Sequence, residues 1–284
     1  VASEGALSPD DVAYDARWLT DSVEVEVVPE RLLDESTPAR AVAPAHLRFS
    51  LGSPLAEDVI PTEPQMLIYP ADEYEALHRE AGNEEVLARL ARLRELISQR
   101  PAAIEGELPL LPPQDGRLTF ASQVALLDFE GGAGVRYIGQ TGQAPVPITN
   151  DGLFYTFQGL THDGQHLVVI FYPVSTTAID SAEAEARYAD DREGFVAEYE
   201  AYRAETEAQL QALSVTAFEP TLEDLDILVE SLLIGTRGGG SGQAGGGGAG
   251  GEAPATPLPM PSPAGPTVVP NPTVASGGGT QVIL

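Results

Sequence analysis

The sequence predicts an α+β fold, a mainly antiparallel sheet packed by helices, followed by an extended tail rich in glycine and proline. Three observations carry this. Residues 118–173 hold two pairs of β-prone runs joined by glycine-bearing turns, which is the pattern of hairpins. Amphipathic stretches at helical spacing precede and follow that block, and strands grouped apart from helices point to α+β. Near Gly235 the composition changes abruptly: residues 235–284 contain 15 glycines and 8 prolines, and only Arg237 and Glu252 are charged. The chain therefore divides into an N-terminal extended segment with a strand (1–44), an α+β globular domain (45–234) and a Gly/Pro-rich tail with an apolar, β-prone end (235–284).

The elements follow in order. Residues 23–28 (VEVEVV) alternate apolar and acidic side chains, the period-two pattern of a half-buried strand. Residues 46–51 (HLRFSL) alternate again, with Leu47, Phe49 and Leu51 on the buried face, and residues 65–69 (QMLIY) make a third strand closed by Pro70. A short helix is expected over 72–79. Asn83 is a fitting N-cap for the next, with Glu84 and Glu85 complementing the helix dipole. Val86, Leu90, Leu93 and Ile97 form its apolar stripe before Pro101.

Strands over 118–129 and 135–140 flank Gly131-Gly132-Ala133-Gly134 as one hairpin, and strands over 153–161 and 165–173 flank Asp163-Gly164 as another. In LVVIFYP both faces are apolar, so Val168 to Phe171 belong to a central strand covered on both sides. An acidic helix over 182–213 presents Phe195, Tyr199, Tyr202, Leu210 and Leu213 along one face. The last helix opens with Thr221 as N-cap and Asp224 three residues on, a capping-box variant. Leu225, Leu228, Val229 and Leu232 form its stripe.

Composition excludes several functions. The charge is 15 − 43 = −28, carried entirely by residues 1–234, and every basic residue is arginine. Such a surface repels phosphate backbones and anionic headgroups, so nucleic acid is no partner. With 0 cysteines there is no disulfide framework, thiol nucleophile or thiolate metal site. No run of about 18 apolar residues occurs, so no segment spans a membrane.

No constellation of catalytic residues stands out. His162 and His166 bracket a hairpin turn, but neighbouring strand positions alternate in face, so they do not share a metal. His46 and His78 have no partner at helical or strand spacing and read as ordinary core or surface residues. Gly131, Gly132 and Gly134 precede a strand rather than a helix, and lysine is absent, so they form a turn and not a phosphate loop. No serine lies in a G-x-S-x-G elbow. With 43 acids any chosen carboxylate pair is uninformative, and a single tryptophan, Trp18, is a poor platform for sugars. Calcium is the ion that charge favours, yet no D-x-[DN]-x-[DN]-G loop is present. No catalytic, cofactor or metal residue is assigned.

Three stretches carry a resemblance: LPLLPPQDGRLTFASQVALLDF (108–129), GVRYIGQTGQAPVPITNDGLFYTFQGLTHDGQHLVVIFYPV (134–174) and FEPTLEDLDILVESLLI (218–234). Over roughly residues 45–234 the chain resembles an uncharacterised secreted or lipoprotein-type domain of filamentous green bacteria (Chloroflexota). The resemblance implies an extracytoplasmic location and supplies no catalytic residues. The chain departs from the lipoprotein pattern, since no cysteine is present to bear a lipid. Val1 without a preceding methionine fits a chain whose signal peptide has been removed.

In the tail, residues 238–251 read as a flexible tether and residues 253–272 favour polyproline II. A spacer has no use for an apolar, β-prone end, whereas a strand donor does. The expected function is a non-catalytic extracytoplasmic structural protein, a surface or filament subunit forming a homo-oligomer or polymer through Val268, Val269, Val274, Gln281, Val282, Ile283 and Leu284. Strand addition to an exposed sheet edge supplies the mechanism. The alternatives are a binding module displayed at the cell surface on a flexible stalk, and an enzyme with an unrecognised site.

Overall fold

In the computed structural model, which describes residues 7–34, 37–52, 55–56 and 58–235, the chain forms β1 (Val12–Ala13), β2 (Val23–Val28), β3 (His46–Leu51) and β4 (Gln65–Pro70). Helices α1 (Ala71–Glu80) and α2 (Glu84–Gln99) follow, then β5 (Arg117–Phe129), β6 (Gly132–Gly142), β7 (Phe154–Thr161) and β8 (His166–Pro173). Helices α3 (Ser181–Asp190), α4 (Arg192–Gln211) and α5 (Leu222–Glu230) precede a last strand, β9 (Leu233–Ile234). Seven strands make one antiparallel sheet in the order β2-β3-β4-β8-β7-β6-β5, and β1 pairs with β9 in a two-stranded ladder. This is the α+β architecture that the sequence predicts.

The sheet is covered on both faces. One apolar layer joins Leu47, Phe49, Ile68, Phe157 and Ile170 to Leu222, Leu225 and Leu228 of α5 and Leu210 of α4. The other joins Leu67, Tyr69, Val169 and Phe171 to Tyr74 of α1, Val86, Leu90 and Leu93 of α2, and Leu110 and Leu111 of the following loop. Strand β8 is fourth of the seven, and Val168 to Phe171 are fully buried, as their two-sided apolar character requires. Polar residues of β7 are buried as well. Gln158 accepts from the Leu111 amide (3.0 Å) and donates to the Leu111 carbonyl (3.2 Å), so its side chain stands in for a strand against that loop.

Several expectations need correction. Strand β2 is largely exposed rather than half-buried, because it is the sheet's edge and only Val23 packs on the core. Asn83 precedes α2, but its side chain makes no cap bond and its Nδ2 lies 3.4 Å from His78 Nδ1 instead. The acidic helix is broken in two at Asp191, whose carboxylate accepts from the Gly194 amide (2.9 Å) and starts α4 afresh. The glycine turn is shorter than expected, for Gly132 and Gly134 already lie in β6. A Cβ at Gly132 would fall on the Phe129 ring, and one at Gly134 would strike Gln158 and Phe157, so these glycines make room for aromatic rings crossing the strand.

Inside β5 the register shifts between Ser122 and Ala125, and Gln123 takes a left-handed backbone (φ 56°). That bulge turns its side chain to the C-terminal end of α4. Gln123 Nε2 donates to the carbonyls of Leu210 (2.8 Å), Leu213 (3.0 Å) and Gln211 (3.3 Å), and its amide donates to Gln211 Oε1 (2.7 Å). Its own carbonyl accepts from Arg136 Nη1. A helix end left with unsatisfied carbonyls is thereby closed by a strand residue.

Both Gln123→Ala and Gln123→Gly should be less stable than the native chain, by about 1–3 kcal/mol, since the α4 carbonyls lose their donor. Gln123→Gly should be the milder by about 1 kcal/mol, because glycine takes the left-handed conformation without a Cβ penalty. Urea denaturation of the three chains measures this ordering, and equal losses would mean that the backbone conformation carries no cost.

Candidate functional site

The two edges of the main sheet are its most distinctive surfaces. At one, β2 is hydrogen-bonded to β3 along its whole length, with Val25 opposite Phe49 and Val27 opposite Leu47, and no described strand lies on its other side. Strand residues two apart share a face, so Val25 and Val27 extend the layer of Leu47 and Phe49. The helices stop short of them: Val25 is 37% and Val27 63% exposed. On the opposite face Glu24 and Glu26 are exposed, and Glu26 reaches to 3.9 Å from the buried Arg48. Arg48 is further held by Gln65 Oε1 (3.1 Å) and the Ala56 carbonyl (2.8 Å). Arg31 pairs with Asp58 at 3.7 Å, which brings the segment after β2 to the loop before β4. Leu32, Leu33 and Ile60, on those two segments, are also exposed.

At the other edge, β5 is overhung. Ser122 Oγ donates to the Glu207 carbonyl of α4 (3.3 Å), and the Gln123 bonds follow one residue on. Between α2, the loop over 104–110, the start of β5 and α4 lies a cleft of about 690 Å³. Leu108, Leu110 and Phe120 give it an apolar wall, and Arg89, Arg117 and Arg203 contribute guanidinium groups. Two of these are engaged: Arg89 donates to the Leu110 carbonyl (3.0 Å) and to Glu85 (2.6 Å), and Arg203 pairs with Glu200 (2.8 Å) and Glu207 (3.3 Å).

Two polar clusters are buried. Arg136 grips Asp226 of α5 with both arms of its guanidinium, Nε to Oδ1 at 3.0 Å and Nη2 to Oδ2 at 2.8 Å, and Tyr155 donates to Oδ1 at 2.9 Å. Burial and the neighbouring Asp226 carboxylate push the Tyr155 phenol far up, so it keeps the proton that it donates to Asp226. The second cluster is a stack. His46 lies 4.3 Å from Tyr69, Tyr69 lies 5.0 Å from Tyr74, and Tyr74 lies 4.5 Å from His78, ring centre to ring centre. His46 Nδ1 donates to the Pro44 carbonyl (2.8 Å), and the charges of Arg48 and Arg31 disfavour a second proton on the ring. Tyr74 Oη and His78 Nε2 are buried without a protein partner. Burial lowers both imidazoles to about 4, so they are neutral at pH 7.

The histidines that invited a metal reading, His162 and His166, are exposed and buried respectively. Among the described residues no group of three or more His, Cys, Asp or Glu converges on a metal position. The pair that sequence reasoning kept apart, His46 and His78, is joined through two tyrosines. Half of that link was visible, since Tyr74 and His78 stand four apart on a helix; the other half needs the pairing of β3 with β4. The tail residues Val268, Val269, Val274, Gln281, Val282, Ile283 and Leu284 lie outside the described residues. Among the described residues no helix is long and apolar enough to cross a membrane.

The stack predicts a pH dependence with a definite sign. An unfolded imidazole takes a proton at about 6.5, whereas the folded ones resist until about 4. Stability present above 6.5 is therefore lost as pH falls from 6.5 towards 4. Replacing His78 with phenylalanine should shrink the loss between pH 7 and pH 5 by on the order of 1 kcal/mol relative to the native chain. Urea midpoints of both proteins at the two pH values test it, and parallel losses would show that His78 does not titrate with unfolding.

No protein-family model, curated protein or solved structure matches this chain.

Proposed function

We propose that this protein is a non-catalytic structural subunit that works outside the cytoplasm and joins copies of itself into a surface layer or filament through its C-terminal tail. One observation supports this above the others. Among the described residues the domain leaves an edge strand, β2, with no strand on its outer side and valines uncovered on one face, while the same chain carries a long segment without net charge. An unpaired strand edge offers a row of amides and carbonyls to any extended peptide that meets it. The domain bears the whole charge of −28, so copies repel one another, and a connector free of that charge escapes the repulsion. The placement outside the cytoplasm rests on the resemblance of residues 45–234 to the secreted Chloroflexota domain.

The cleft beside β5 favours a second reading, a binding module carried on a stalk. The apolar wall beside Arg117 suits an extended, largely apolar ligand with one carboxylate, since Arg89 and Arg203 are already paired with Glu85 and Glu207 of the same cleft, and about 690 Å³ gives room for one.

Light scattering after size exclusion, with the full chain and with residues 1–235, separates the two. Structural assembly predicts large particles from the full chain, more of them as salt screens the domains, and monomers from the shortened one. Assembly of residues 1–235 alone would overturn the role of the tail. Monomers in both cases would return the tail to the status of a stalk and favour the binding module.

A further inference from the structure

Resting on that reading, we propose that the tail's acceptor is the outer edge of β2, and that its occupant is residues 280–284 (TQVIL) of a neighbouring copy, added as a further strand of the sheet. The choice of edge follows from what surrounds each. On β5, Ser122 and Gln123 are bound to the C-terminal part of α4, and residues 117–121 line a cleft shared with α2, the 104–110 loop and α4. A strand approaching there meets side chains before it meets backbone. Among the described residues β2 has no such overhang, and four of its six residues are exposed.

Charge selects the occupant. If β2 paired antiparallel with the β2 of a second copy about Val25, Glu24 of each would stand opposite Glu26 of the other. Like charges directly opposed on one face of a sheet are destabilising. Residues 253–284 contain no charged side chain, so they meet no such opposition. Within them Val268 and Val269 lie between Pro266 and Pro270, and Val274 follows Pro272, which interrupts the ladder that an added strand must make. Residues 280–284 are free of proline and apolar at three of five positions. Placed beside β2, they would set Val282 and Leu284 on the face of Val25 and Val27, and Gln281 on the face of the glutamates, where its amide can donate to a carboxylate. The exposed valines would thereby gain the cover that the helices do not supply.

The chain contains no cysteine, so engineered ones report cleanly. Full-length Val25→Cys and Val282→Cys proteins, mixed under mild oxidation, should give a covalent dimer at least about tenfold faster than either variant alone, since the two thiols would be held as cross-strand neighbours. In the uncrosslinked native chain, amides of β2 should exchange about tenfold more slowly in the assembled state than in dilute solution, and those of β5 at an unchanged rate. Full-length Val27→Glu should fail to assemble, whereas Val27→Thr should assemble normally, with circular dichroism confirming that both are folded. Self-linking of Val25→Cys as fast as the mixture would assign the edge to a second β2 and overturn the proposal. So would linking only when both cysteines sit in one chain, which would place the tail on its own domain. Slowed exchange at β5, or normal assembly of Val27→Glu, would overturn the choice of edge while leaving tail-mediated assembly intact. A native chain that stays monomeric at every concentration would overturn both.

Discussion

The backbone bulge at Gln123 is the joint on which the far half of the molecule depends. From this one residue, bonds run to the end of α4 through its side chain and amide, and to Arg136 of β6 through its carbonyl. Arg136 continues to Asp226 of α5, and Asp226 to Tyr155 of β7. Three strands and two helices are thus tied by groups that satisfy one another. Removing the Gln123 side chain, Arg136 or Asp226 would leave a carbonyl or a charge without its partner, which is far costlier than replacing the set with apolar groups. The joint also decides which sheet edge is open. By fastening the end of α4 to Ser122 and Gln123, it covers the middle of that edge, and α4 helps to line the cleft beside it.

Charge acts at a longer range. Most ion pairs here are on the surface, such as Arg17 with Asp15 and Arg187 with Glu198, and such pairs contribute little to stability. They do reduce the local field, but 15 arginines cannot balance 43 acids. The surplus keeps copies of the domain apart at distances up to the Debye length, about 10 Å at 0.1 M salt. A contact made by a part of the chain that does not carry the surplus meets less of this repulsion, and residues 253–284 hold no charged side chain.

Elements whose signal is local were legible in the sequence. Strand β8 announces its two-sided burial by apolar residues on both faces, and the Asp163-Gly164 turn sets its hairpin with β7. Thr221 caps α5 as expected, accepting from the Asp224 amide at 3.1 Å. What was missed depends on distant partners. Gln123 looks like any polar strand residue, because the helix end that bends its backbone lies 88 residues later. Gly132 and Gly134 read as a turn until Phe129 and Phe157 are seen to occupy their missing side chains. The stack from His46 to His78 requires β3 to pair with β4, a register that no local pattern specifies. The alternation of β2 was legible as a strand, but its exposure was not, since a two-residue period cannot tell an edge from an interior position.

The sheet therefore has two unlike ends. Proteins usually guard an open edge with charge, a bulge or a covering element. The β5 end has the last two, in the Gln123 bulge and the α4 helix. Among the described residues the β2 end has Glu24 and Glu26, and charge is a different kind of guard, because it discriminates by sign. A covering helix turns away every strand alike. Two exposed glutamates turn away the acidic surfaces that all copies of this domain present, yet impose no comparable cost on a strand without charge. An edge protected in that way disfavours an acidic strand more than a neutral one, and this chain contains both kinds.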